Sequence, residues 1–201
     1  MSLFPFNTNW RTRNAQTDVP GVLTQLVSPV MYTPGSPVLD DTDYFVESAN
    51  MKVGAYTLAH TKPDVGARNV TVTQTAVGAE DTNGTILVTG KDLAGNVITE
   101  TLTPNAGATV AGAKAFAEIT SIVGADWVIG EGNDTVVLGF GALLGLPDKL
   151  TDTAQVLFVS LNNAKQATAP TVTVSSTALA SNTVDLDSAL DGTPVKIYYL
   201  V

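Results

Sequence analysis

The chain has 201 residues, 44% of them apolar, enough to bury one sizeable core and a small second one. Its formal net charge is −9, and 10 Lys and Arg against 19 Asp and Glu argue against nucleic acid as the main partner, because phosphate neutralisation needs clustered cations. The absence of cysteine excludes a disulfide framework, a thiolate metal site and a Cys nucleophile, and fits synthesis in a reducing cytoplasm.

Charged residues make up 14% of the chain, where about 25% is usual for a soluble domain. Gly, Thr, Asn and Ser are plentiful instead. Two explanations fit: uncharged surfaces suited to permanent contact with other chains, or Thr-rich strands facing solvent. The start, M-S-L-F-P-F-N-T-N-W, has neither a basic segment nor a sustained apolar one, so no secretory signal is expected. Val136 to Pro147, the longest apolar stretch, is too short and too Gly-rich to span a bilayer, and no membrane partner is expected.

Residues 1–50 carry Pro5, Pro20, Pro29, Pro34 and Pro37, which break helical patterns, and predict an extended N-terminal arm. One short helix is predicted near Pro20 to Leu26, with Asp18 as its cap. The segment is too apolar for a solvated tail, which fits an arm docked on its own domain or on a neighbour, and Phe4, Phe6 and Trp10 are candidate interface anchors toward a neighbouring subunit. A strand is predicted at Val53 to Ala59, followed by a turn at Lys62 to Gly66.

The block from Arg68 to Pro147 consists of short runs rich in Val, Ile and Thr, fenced by Gly, Asn, Asp and Pro, as in an antiparallel sheet. In Asn69 to Thr75, Val70 and Val72 alternate with Thr71, Thr73 and Thr75, which predicts one buried and one wet face. Thr85 to Thr89 and Asn96 to Thr103, joined by G-K-D-L-A-G-N, predict a hairpin. Lys114 to Ile122 has helix formers, but its length between Gly112 and Gly124 favours a strand. Asp134 to Phe140 is the most apolar run and is expected to lie centrally. Further strands are predicted at Val156 to Leu161, Thr171 to Ser175, Thr183 to Leu186 and Val195 to Leu200.

The expected fold is all-β: an antiparallel β-sandwich, Ig-like or jelly-roll-like, over residues 51–201, with a core block at 68–147 and C-terminal strands at 154–201. The last strand is hydrophobic and uncharged over its last five residues, and as a free edge it would be a liability. Ile197, Tyr198, Tyr199 and Leu200 are therefore expected to be buried, in the chain's own sheet or in an oligomer contact.

No catalytic kit is apparent. His60 is the only histidine, with no G-x-S-x-G elbow to go with it, and is expected to be solvated or structural. One His without Cys makes none of the usual zinc sets. Gly139, Gly141 and Gly145, in G-F-G-A-L-L-G, have the wrong spacing for a dinucleotide loop and fit close backbone packing or a bulge. Asp40, Asp41 and Asp43 form one carboxylate cluster and Asp185, Asp187 and Asp191 another. Neither matches the twelve-residue calcium loop, and turn chemistry explains both. No catalytic residue, metal ligand or cofactor is assigned.

The stretches R-N-V-T-V-T, G-T-I-L-V-T-G-K-D-L-A-G-N-V-I-T-E-T-L-T, K-A-F-A-E-I-T-S-I and V-V-L-G-F-G-A-L-L-G-L-P, with the C-terminal A-T-A-P-T-V-T-V-S-S onward, resemble a β-rich module of tailed-bacteriophage virion proteins. The resemblance runs from Arg68 onward and is one of texture, without a catalytic motif. It implies a structural, non-enzymatic virion component, made in the host cytoplasm, that binds the major capsid protein as a decoration (cement) protein on the capsid surface. It also implies a homotrimer stable without metal. A tail or head-fibre component with host-surface contact is the alternative. A secreted carbohydrate-binding or glycosidase domain is a third reading, disfavoured by the missing signal and the low aromatic content.

Overall fold

The computed structural model describes residues 15–16, 23–24, 28–51, 53–75, 84–105, 107–128 and 134–201. In chain order the strands are β1 (Ala15–Gln16), β2 (Leu23–Thr24), β3 (Pro29–Gly35), β4 (Asp41–Asn50), β5 (Gly54–Ala55), β6 (Arg68–Thr75), β7 (Thr85–Lys91) and β8 (Val97–Leu102). They continue with β9 (Thr109–Phe116), β10 (Glu118–Ala125), β11 (Thr135–Gly145), β12 (Val156–Leu161), β13 (Ala164–Lys165), β14 (Thr171–Thr173), β15 (Thr183–Asp185) and β16 (Val195–Leu200). Among the described residues the helical segments are single 3-10 turns at Thr153–Gln155 and Leu179–Ser181. The fold is all-β, as the Val/Ile/Thr runs predict.

Three antiparallel sheets build the body. One is four-stranded, in the order β5-β10-β7-β8; a second is six-stranded, β14-β15-β11-β6-β9 with β4 also on β11; a third is four-stranded, β13-β12-β16-β3. The first core lies between the first two sheets and contains Phe45, Val46, Val70, Val72, Ile86, Val88, Ile119, Ile122, Val136, Leu138 and Phe140. The second lies against the third sheet, where Leu144, Leu146, Leu150, Val184, Leu186 and Leu190 meet Val159, Val195, Ile197 and Tyr199. Strand β11 serves both cores and pairs with β6, β4 and β15, the central place its apolar sequence predicts.

The β7–β8 hairpin forms as expected, with Lys91 opposite Val97. Its turn is held by the Asp92 carboxylate, which accepts from the backbone N–H groups of Ala94 and Asn96 at 2.9 Å each. Strands β12 and β16 coincide with their predicted limits, and β14 and β15 are shorter than predicted at their C-terminal ends.

Five expectations need correction. Residues 29–50 belong to the folded body rather than to an arm: β3 pairs with β16, and β4 pairs with β11 and buries Phe45 and Val46. In place of a helix near residue 20, Leu23–Thr24 is extended and pairs with Ala15–Gln16. The strand predicted at 53–59 shrinks to Gly54–Ala55, beyond which Tyr56 and Ala59 bond singly to Ile122 and Phe45. The second face of β6 is wet only at its end: Asn69 and Thr71 are buried, Thr73 is half-buried and Thr75 alone is exposed. Lys114 to Ile122 is not one strand: the chain turns at Ala117, whose N–H donates to Lys91, so β9 lies in the six-stranded sheet and β10 in the first four-stranded one.

Candidate interaction surfaces

Strand β16 is an interior strand, with Tyr198 opposite Phe158 on one side and Met31 on the other. Strand alternation splits the four predicted C-terminal interface residues. Ile197 and Tyr199 are fully buried in the second core, while Tyr198 and Leu200 are half-buried on the opposite face. The Tyr199 hydroxyl donates to the Asp148 carboxylate at 2.5 Å, and burial, reinforced by that bond, pushes its phenol far above the ordinary range. The structure thus brings the four together on one strand, two in the chain's own core and two facing away from it.

On that outward face the Phe158 and Tyr198 rings stack, with centroids 4.3 Å apart. The Lys165 ammonium sits 5.2 Å over the Phe158 ring, and Met31 is 55% exposed beside them. Phe4, Phe6 and Trp10 lie outside the described residues. Ser28 exchanges two backbone hydrogen bonds with Val201 at the corner of this sheet, 2.8 and 3.0 Å long.

The second surface is a groove of about 240 Å³ between residues 39–40 and the segment after β15, lined by Ala142, Leu186, Leu190, Asp40, Asp185 and Asp187 among others. One wall is held by a buried clamp. Arg68 donates to the carbonyl of Val38 at 2.9 Å and to Asp64 at 3.0 Å, and the other carboxylate oxygen of Asp64 accepts from the Val38 N–H at 2.8 Å. Gly192 also bonds back to Pro37. Val38 and Leu39, at 45% and 57% exposure, stand at the rim. The fold thereby joins parts of two Asp clusters that are remote in sequence. Burial raises the Asp185 carboxyl above its usual value.

The remaining candidates have local explanations. Exposed His60 stacks on Tyr44 at 4.3 Å. In the glycine-rich run, a Cβ on Gly139 would collide with the backbone of Asp41, and one on Gly141 with the Asn69 amide, so close packing accounts for both. Asp41 accepts from the Asp43 N–H, and the side-chain hydrogen bond between them raises the Asp43 carboxyl. Asp191 accepts from both the hydroxyl and the N–H of Thr193, which hold its carboxyl below the usual range. Among the described residues no three His, Asp or Glu groups converge as metal ligands.

Arg68, Asp64 and Asn182 were not singled out from sequence. Asn182, fully buried, accepts from the N–H groups of Leu150 and Ser175 and donates to the carbonyls of Ser175, Ala178 and Leu179, which holds together the loops beside β15. A buried Asn between two turn segments is indistinguishable in sequence from an ordinary turn residue.

The architecture defines a class, an antiparallel β-sandwich protein with two cores on one shared sheet. Compared with protein-family models, curated proteins and solved structures, the chain matches none.

Proposed function

We propose that the chain is a structural virion component of a tailed bacteriophage that binds the assembled capsid surface as a decoration, or cement, protein. One observation carries the reading: the C-terminal sheet turns Met31, Phe158, Tyr198 and Leu200 away from its own core. An aromatic and apolar face with few charges suits lasting association, because such anchors dominate interface energetics. The resemblance of residues 68–201 to virion modules names the partners, the major capsid protein and further copies of the chain in a homotrimer. Association through such a face needs no metal, so decorated capsids should keep the protein in EDTA.

The test is the copy number in purified virions, read from band ratios or quantitative mass spectrometry. A cement protein approaches the copy number of the shell protein. A handful of copies per particle would overturn the reading in favour of a tail or head-fibre component.

A further inference from the structure

The groove between the 37–40 loop and the segment after β15 combines an apolar floor, Ala142, Leu186 and Leu190, with a rim of three carboxylates, and its lining holds no Lys or Arg. Its wall is preorganised by the Arg68 and Asp64 clamp on Val38, so an occupant would not have to order it. Leu39 is left 57% exposed at its mouth, and the half-buried Asp185 carboxyl accepts no hydrogen bond from the described residues, although its backbone pairs with Thr171. The site calls for a segment carrying both an apolar ring and a cation.

The chain's own first 14 residues have that chemistry. They contain Phe4, Phe6, Trp10, Arg11 and Arg13, two of the chain's 10 cations and none of its 19 acids. Arg11 and Arg13 lie four and two residues before Ala15, which pairs with Thr24 four residues short of Ser28, so fully extended they reach at most about 30 Å from Ser28. The groove lies past the far end of β3 from Ser28, and a seven-residue strand is about 20 Å long.

We propose that this groove holds the N-terminal segment of a second copy of the chain, with an aromatic side chain on the Leu186 and Leu190 floor and Arg11 and Arg13 against Asp40, Asp185 and Asp187. The assignment rests on the self-association reading above and names the contact that makes it. A segment exchanged between neighbours is a heterologous contact, which closes into a ring when the rotation allows, as a trimer requires.

The experiment uses the full chain and sedimentation equilibrium. One variant is Arg11→Glu with Arg13→Glu. The other is Asp40→Lys with Asp187→Lys, at two exposed positions, with circular dichroism to check that the fold survives the loss of the Asp40 charge near Arg68. Each alone should weaken self-association roughly tenfold or more, since like charges then face each other across the contact. Mixing the two in equal amounts should recover part of it, because contacts between unlike variants pair opposite signs, and a ring of three holds at most two such contacts. Association that survives either reversal, or a mixture no more associated than its components, overturns the groove assignment and leaves self-association standing. A wild-type chain that stays monomeric at every concentration overturns both.

Discussion

Among the described residues Arg68 is the largest side chain that is completely buried. Its Nε donates to the Gly141 carbonyl at 2.8 Å, its Nη1 serves Val38 and Asp64, and its guanidinium lies 4.2 Å from the Phe140 ring centroid. Burial pulls its pKa below the ordinary value, while Asp64 works in the opposite direction. Removing one member of such a buried pair strands the other, so Arg68→Ala should cost about 3–5 kcal/mol in urea unfolding. Arg68→Lys should recover little of this, since an ammonium replaces neither the planar fork nor the ring stacking. None of this was legible in R-N-V-T-V-T, because the Arg68 partners Val38 and Gly141 lie far away in sequence. Asp185 is the opposite case, a carboxyl whose burial raises its pKa. The folded chain binds that proton more tightly than the unfolded chain. The contribution to folding is complete below the unfolded carboxyl value and is lost as pH rises through the folded one. Asp185→Asn should therefore raise the melting midpoint at pH 7, by at most about 2 °C for a group this exposed, with the gain vanishing toward pH 3.

At the scale of elements, legibility followed locality. The β7–β8 hairpin and strands β12 and β16 were readable because period-2 alternation and Gly-containing turns are local signals. The corner at Ala117 was not, because a tertiary hydrogen bond to Lys91 makes it. Nor was the bulge at Thr120, whose hydroxyl bonds to Thr89; it breaks alternation and leaves both Ile119 and Ile122 buried. The β12–β13 turn carries a local signal of the same kind. Asn162 and Asn163 stand between paired Leu161 and Ala164 with φ of 51° and 62°, the left-handed backbone of a two-residue hairpin turn. Asn162→Ile should cost about 1–2 kcal/mol by chemical denaturation, and Asn162→Gly close to nothing. Truncating the last six residues should be far worse, since it removes an interior strand together with Ile197 and Tyr199 of the second core. Aggregated protein on size exclusion is the expected result, and a soluble monomer would contradict it.

At the scale of the whole molecule, the two cores explain how one chain can be stable and still present apolar surface. Folding is served by inward faces that β11 links, so Met31, Phe158 and Tyr198 remain outside as surface not required by either core. Met31 allows folding and contact to be separated. It is 55% exposed on the edge strand β3, and an exposed substitution there should shift stability by no more than about 0.5 kcal/mol. In the proposed capsid contact the same position would lie beside the Phe158 and Tyr198 stack, where a carboxylate would be desolvated, and leaving a charge unpaired is costly. Met31→Glu should therefore melt like the wild type yet load onto capsids at least about tenfold more weakly, a difference of about 1.4 kcal/mol. Val97→Glu is the control: Val97 is 71% exposed on β8 in the other four-stranded sheet, so a charge there should leave loading unchanged. Equal loss from both variants would mean that added charge alone repels the shell, and full loading of Met31→Glu would remove the C-terminal sheet from the contact.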